Sequence, residues 1–186
     1  MLTKNINFKG FKSKKNNKNI KNDLQLLLKE NNKILNSLGP LYNNSYKKRI
    51  ISNLKKYSNI RIIGMGGSVL GAESIYDFLK HKVKKKFYFV NNLITNNYLF
   101  KKKKYINLVI SKSGETLETI TNANIFVKKT DKNIFITENK KSYLLKLALK
   151  LKAEIVHHNN FIGGRYSVLS EVGMLPAELM GLSANK

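Results

Sequence analysis

The chain predicts an α/β fold with a five-stranded parallel sheet, and three observations predict it. From residue 59 onward, short β-branched runs alternate with stretches of about a dozen residues at helical spacing, the pattern of βαβ units with right-handed crossovers. The runs are almost continuously apolar, as buried parallel strands are. Gly- and Ser-rich turns follow the first, third and fifth runs, where the strand-to-helix loops of such a sheet gather ligands.

Taken in order, residues 1–20 hold too few apolar side chains to pack and read as an arm. Asp23 is placed to cap a helix carrying Leu24, Leu27, Leu28, Ile34, Leu35 and Leu38, an i, i+3, i+4 stripe that Gly39-Pro40 ends. A second helix is expected over 45–56. Strands follow at 59–66, 86–90, 105–110, 133–137 and 153–158, with helices at 69–80, 116–128, 143–151 and 168–180. Residues 1–56 thus form an arm with helices, and residues 57–186 form one ligand-binding domain.

Composition excludes several function classes. The chain has 186 residues, 42% of them apolar, enough for a real core. It has no cysteine, hence no disulfide framework and no thiolate zinc site or nucleophile. No run approaches the roughly 20 apolar residues of a membrane span, and the Lys- and Asn-rich start lacks the apolar stretch of a signal peptide. A cytoplasmic protein with no membrane partner is expected. The net charge of +24 invites a nucleic-acid reading, but the lysines are spread evenly. Only Arg49, Arg61 and Arg165 are arginines, the type favoured for bidentate base contacts. Nucleic acid is not the expected partner; anionic metabolites are.

Three loops carry the chemistry. "SKSGET" (111–116) ends a strand and opens a helix, so Ser111, Ser113 and Thr116 bring three hydroxyls to a helix N-terminus, a ready anion site. Gly114 permits the sharp turn. Helix capping alone explains one or two of those hydroxyls, not three and a glycine. Lys112 adds a diffuse positive field. In "GMGGSVLG" (64–71), Gly64, Gly66 and Gly67 clear space for a ligand and Ser68 offers a hydroxyl. The spacing is not that of a dinucleotide loop, and Asn91 stands where an acid would end the second strand. In "GGRYSVLSEVG" (163–173), a scarce arginine sits between a Gly pair and a helix start, suited to clamp a phosphate or steady an oxyanion. The structural alternative for Arg165 is a salt bridge to Glu171 or Glu178. Of His157 and His158, strand alternation sends one inward and one outward, both in structural roles. No His–carboxylate spacing suggests a metal.

"GMGGSVLG", "SKSGETLET" and "GGRYSVLSEVGMLPAELMG" together resemble the successive signatures of the phosphoglucose isomerase family over residues 59–182. The resemblance implies a sugar-isomerase (SIS) domain, a flavodoxin-like three-layer sandwich preceded by helices. It implies interconversion of glucose 6-phosphate and fructose 6-phosphate without cofactor or metal, in a homodimer at full length. By motif, Ser111, Ser113 and Thr116 hold the phosphate with the Lys112 backbone, Gly67 and Ser68 line the sugar, and Arg165 stabilises the cis-enediolate. In the family the base is a glutamate of a second SIS domain, a partner subunit supplies the ring-opening histidine, and a late lysine also contributes. No matching motif stands in this chain, which therefore reads as a truncated half-site, inactive alone. A stand-alone SIS sensor of sugar phosphates shares "SxSGxT" but has no need of "GGRYSVLSEVG". An isomerase of another phosphosugar stays open. The apolar face of the last helix (Leu169, Val172, Leu175, Leu179) is expected to be exposed and to drive self-association.

Overall fold

Each strand is built around Ile, Val, Leu or Phe, and the computed structural model, which describes residues 18–54, 56–93 and 104–184, places all five in one sheet. Strands β1 (Asn59–Gly64), β2 (Lys86–Val90), β3 (Ile106–Ile110), β4 (Lys132–Thr137) and β5 (Glu154–His157) pair in parallel in the order β2-β1-β3-β4-β5. The chain turns one way from β1 to β2 and the other way from β3 onward. The crevice outside the carboxyl ends of β1 and β3 is therefore the switch point where such sheets bind ligands. Gly64 faces Ile110 across that pair.

Strand alternation builds two cores. On one face Ile60, Ile62, Leu108, Ile134 and Ile136 pack against α3 (Lys48–Leu54), α4 (Leu70–Leu79) and α7 (Glu171–Leu179). On the other, Ile63, Val90, Val109 and Phe135 pack against α5 (Leu117–Phe126) and α6 (Tyr143–Lys150). Each fully buried side chain of this size contributes about 1.5–3 kcal/mol of transfer free energy. The result is the expected three-layer α/β sandwich.

Three expectations change. The single N-terminal helix is two, α1 (Lys18–Lys29) and α2 (Lys33–Ser37). The reason is Asn32, whose extended backbone and side-chain oxygen, 2.9 Å from the Ile34 N–H, cap a new helix start. Asp23 lies inside α1 and caps nothing. The arm over 1–17 lies outside the described residues. The last helix is also shorter at its start: residues 164–169 form 3-10 turns, and Ser170 in extended backbone caps α7. Nor is its apolar face open. Val172, Leu175 and Leu179 are buried against α3, α4 and the sheet, and only Leu169 of the four is exposed. A run of uncovered apolar side chains lies instead on α1, no residue of which is buried.

The strands also conceal a polar row. Arg61, Asn107 and Asn133 are register neighbours across β1, β3 and β4. Arg61 Nη1 donates to Asn107 Oδ1 (3.1 Å) and to the Phe126 carbonyl (3.2 Å), and Asn107 Nδ2 donates to Asn133 Oδ1 (2.8 Å). The guanidinium lies over the Tyr105 and Phe126 rings, 4.1 and 4.9 Å from their centroids.

Candidate active site

Ser111 leaves β3 buried, and its Oγ stands 3.0 Å from Thr116 Oγ1. Thr116 occupies the N-cap of α5 in extended backbone, yet its hydroxyl makes no capping bond. The hydroxyl turned toward Ser111 leaves the first N–H groups of α5 without a side-chain acceptor, where the helix dipole favours an anion. Capping thus does not account for Thr116. Ser113 is exposed, with Oγ accepting from the Glu115 N–H at 3.2 Å. Gly114 has φ +68°, and a Cβ there would meet Ser142 Oγ at 2.2 Å, so both conformation and space demand glycine.

Lys112 does more than supply a field. Its Nζ donates to the Asn160 carbonyl at 2.6 Å and lies 3.5 Å from Glu138 Oε1, while its own carbonyl accepts from the Glu138 N–H and the Thr137 hydroxyl. It joins the loop after β3 to those after β4 and β5.

The other two loops meet over β1. Residues 66–68 form a 3-10 turn with Gly66 at φ +54°. The space expected beside Gly67 is filled by protein: a Cβ there would lie 2.1 Å from the Gly164 carbonyl oxygen. Ser167 Oγ donates to the carbonyls of Gly164 (2.8 Å) and Gly67 (3.2 Å). Ser68 is half-buried and does not cap α4, which begins at Leu70. Arg165 projects from this turn exposed, with no ion pair among the described residues. The structure therefore brings the Gly67–Ser68 and Arg165 turns into contact, beside the Ser111–Thr116 loop on the neighbouring strand.

Glu171 does not pair with Arg165. It is fully buried at the start of α7, with Oε1 2.5 Å from His158 Nδ1 and 3.3 Å from the Asn159 N–H, and with Oε2 accepting from the Tyr42 hydroxyl at 2.9 Å. Burial pushes this carboxyl up, but the His158 hydrogen bond, its own backbone N–H, the His158 charge and Tyr42 outweigh burial and hold it below the ordinary value. Glu178 is engaged by the Tyr46 hydroxyl at 3.0 Å. His157 is exposed and His158 buried, as alternation requires. Tyr42 and Asn159 had no sequence signal, since a tyrosine after Gly-Pro reads as loop.

Two carboxylates near the mouth are occupied as well. Glu115 Oε1 accepts from the Tyr143 N–H at 2.7 Å, and Glu138 pairs with Lys112. Among the described residues no cluster of His, Asp or Glu could hold a metal ion, and no helix is long and apolar enough to cross a membrane.

Comparison with known proteins agrees with this geometry. The phosphoglucose isomerase family model matches residues 12–183. The glucose-6-phosphate isomerase of Acholeplasma laidlawii is 36% identical over 71% of this chain and 36% of its own length. The chain spans about a third of the curated relatives it matches. Among solved structures, a hypothetical protein from Thermus thermophilus superposes with TM-score 0.66 at 19% identity, over 90% of this chain and 44% of that one. The tagatose-6-phosphate ketose/aldose isomerase from Escherichia coli does so with TM-score 0.54 at 19% identity, over 72% and 40%. At that identity the structures speak for the fold alone. The sequence match speaks for more: with all three loops gathered at the switch point and the family model running across nearly the whole chain, this protein belongs to the phosphoglucose isomerase family.

Proposed function

We propose that this chain supplies the sugar-phosphate-binding part of a glucose-6-phosphate isomerase site, with residues 57–186 as the binding domain and 1–56 leading into it. The observation that carries the reading is Thr116, at an N-cap yet turned to Ser111, which leaves the start of α5 open to a phosphate. Ser111, Ser113, Thr116 and the Lys112 N–H hold the phosphate of glucose 6-phosphate or fructose 6-phosphate. Gly67 sets the turn that lets Ser68 and Arg165 approach the sugar. Arg165, exposed and without a carboxylate partner among the described residues, supplies a fixed positive charge where negative charge develops on the enediolate.

The reaction moves a proton between adjacent carbons and needs a base within hydrogen-bond reach of the carbon acid. Glu115, Glu138 and Glu171 are each bound to partners within the fold. The resemblance to the family assigns the base to a complementary segment and the working enzyme to a cytoplasmic homodimer, with turnover by this chain alone essentially nil. No cofactor enters the proposal.

The test is calorimetric titration with fructose 6-phosphate, beside a Ser111→Ala, Thr116→Ala double variant. Binding by the parent that vanishes in the variant is the expected result. No binding by the folded parent at millimolar ligand overturns the reading.

A further inference from the structure

Among the described residues no carboxylate pairs with Arg165, so its placement depends on the backbone that carries it. That backbone runs from Ile162, through the glycines 163 and 164, to the helix start at Glu171. Both ends of this segment return to one point. Upstream, the Ile162 carbonyl lies 3.1 Å from His158 Nε2. Downstream, Glu171 Oε1 lies 2.5 Å from His158 Nδ1. A single buried imidazole thus closes the loop that bears Arg165. The Asn159 N–H, 3.3 Å from the same carboxylate oxygen, and the Asn159 amide, donating to the Tyr42 hydroxyl at 2.9 Å, tighten the closure. His158 is itself suspended from β4 by its N–H to the Thr137 carbonyl at 2.9 Å.

A backbone carbonyl only accepts, so Nε2 carries a hydrogen, which turns Nδ1 to the Glu171 carboxyl with a single hydrogen bond between them. Desolvation offsets much of the attraction in a buried polar pair, so its contribution is to geometry more than to stability. Here the geometry specified is the Arg165 turn. Within the loop, Ser170 Oγ donates to the Ser167 carbonyl at 2.6 Å, and Ser167 seats the turn on Gly67.

We propose that His158 and Glu171 are positioning residues for Arg165: the pair clamps the 162–171 loop so that the guanidinium stands over the sugar end of the bound phosphosugar. This rests on the functional reading above. It assigns to Glu171 a role other than salt-bridge partner of Arg165.

Two probes separate the parts. Inorganic phosphate reports the Ser111–Thr116 loop alone. 6-Phosphogluconate adds a carboxylate where the enediolate would be negative, and so reports Arg165 as well. The quantity read is the ratio of the two dissociation constants. Arg165→Ala is expected to lower the ratio by about tenfold, the worth of one charge-assisted contact. Glu171→Gln is expected to lower it comparably while leaving phosphate affinity within about twofold. A merely structural defect would weaken both probes together. Should Glu171→Gln not fold, His158→Asn keeps a donor toward Glu171, loses the reach to Ile162, and carries the same comparison. A ratio preserved in the clamp variants but lost in Arg165→Ala overturns the clamp and leaves the functional reading standing. A ratio preserved in Arg165→Ala overturns both.

Discussion

Gly67 and Gly164 approach so closely that a methyl group on Gly67 would stand 2.1 Å from the Gly164 carbonyl oxygen and 2.5 Å from its carbonyl carbon. Backbone, not a flexible side chain, fills the space. Gly67→Ala is therefore expected to cost about 1–3 kcal/mol by overpacking and to displace the Arg165 turn. Gly66→Ala meets no atom within 4 Å and carries only the strain of φ +54°, about 1–2 kcal/mol. Urea unfolding checks both costs, and fructose 6-phosphate titration should show the larger binding loss at Gly67.

Lys112 offers a sharper test of which atoms hold the phosphate. If its N–H serves the ligand while its side chain braces Asn160 and Glu138, Lys112→Met keeps the first and loses the second. The expected stability loss is under about 1 kcal/mol for a partly exposed pair, with phosphosugar affinity changed less than about tenfold. A larger affinity loss, read by calorimetry at two salt concentrations, would assign the ammonium itself to the phosphate.

The Tyr42–Glu171 bond sets the pH limits of the fold. Glu171 is held below its ordinary carboxyl value, so the folded state binds its proton less readily than the unfolded state does. Its stabilisation is complete above the unfolded value of 4.5 and is lost as pH falls through the lower folded value. Tyr42 shifts the other way. Burial first, then the Glu171 charge, raises it from 10.0 to about 12, so its contribution is whole below pH 10 and disappears between about 10 and 12. Urea midpoints against pH should fall at both ends, and Tyr42→Phe should flatten part of the alkaline fall. Tyr46, raised by burial and by Glu178, is expected to retain the remainder.

Arg61 anchors the polar row inside the sheet. Removing it leaves the Asn107 oxygen and the Phe126 carbonyl without their donor and strips a cation from two rings. Arg61→Leu is expected to destabilise by about 3 kcal/mol or more, and Arg61→Lys to rescue little of it, because an ammonium cannot both fork and stack. Thermal melts of the two variants decide this.

The sheet was legible because runs such as Ile62–Ile63 and Leu108–Ile110 are β-branched or apolar and stop at Gly or Ser. The phosphate loop was legible because three hydroxyls and a glycine in six residues exceed what a cap needs. The Arg61–Asn107–Asn133 row was not, since each lies alone in an apolar strand and only the register of β1, β3 and β4 makes them neighbours. The Glu171 partnership failed for a related reason: Arg165 is near in sequence, but strand β5 delivers His158, and the 38–46 segment delivers Tyr42, to the buried side. The split at Asn32 was hidden by an apolar stripe that continues in phase across the break.

That break isolates α1. The described part of α1, Lys18–Lys29, has no buried residue, so no packing contributes to its stability, and a helix held by propensity alone is marginal in water. Leu24, Leu26, Leu27 and Leu28, all exposed, would gain from any apolar surface that met them. The coil-to-helix equilibrium of this segment is thus coupled to association, and the far-ultraviolet helical signal of the chain should rise with its own concentration.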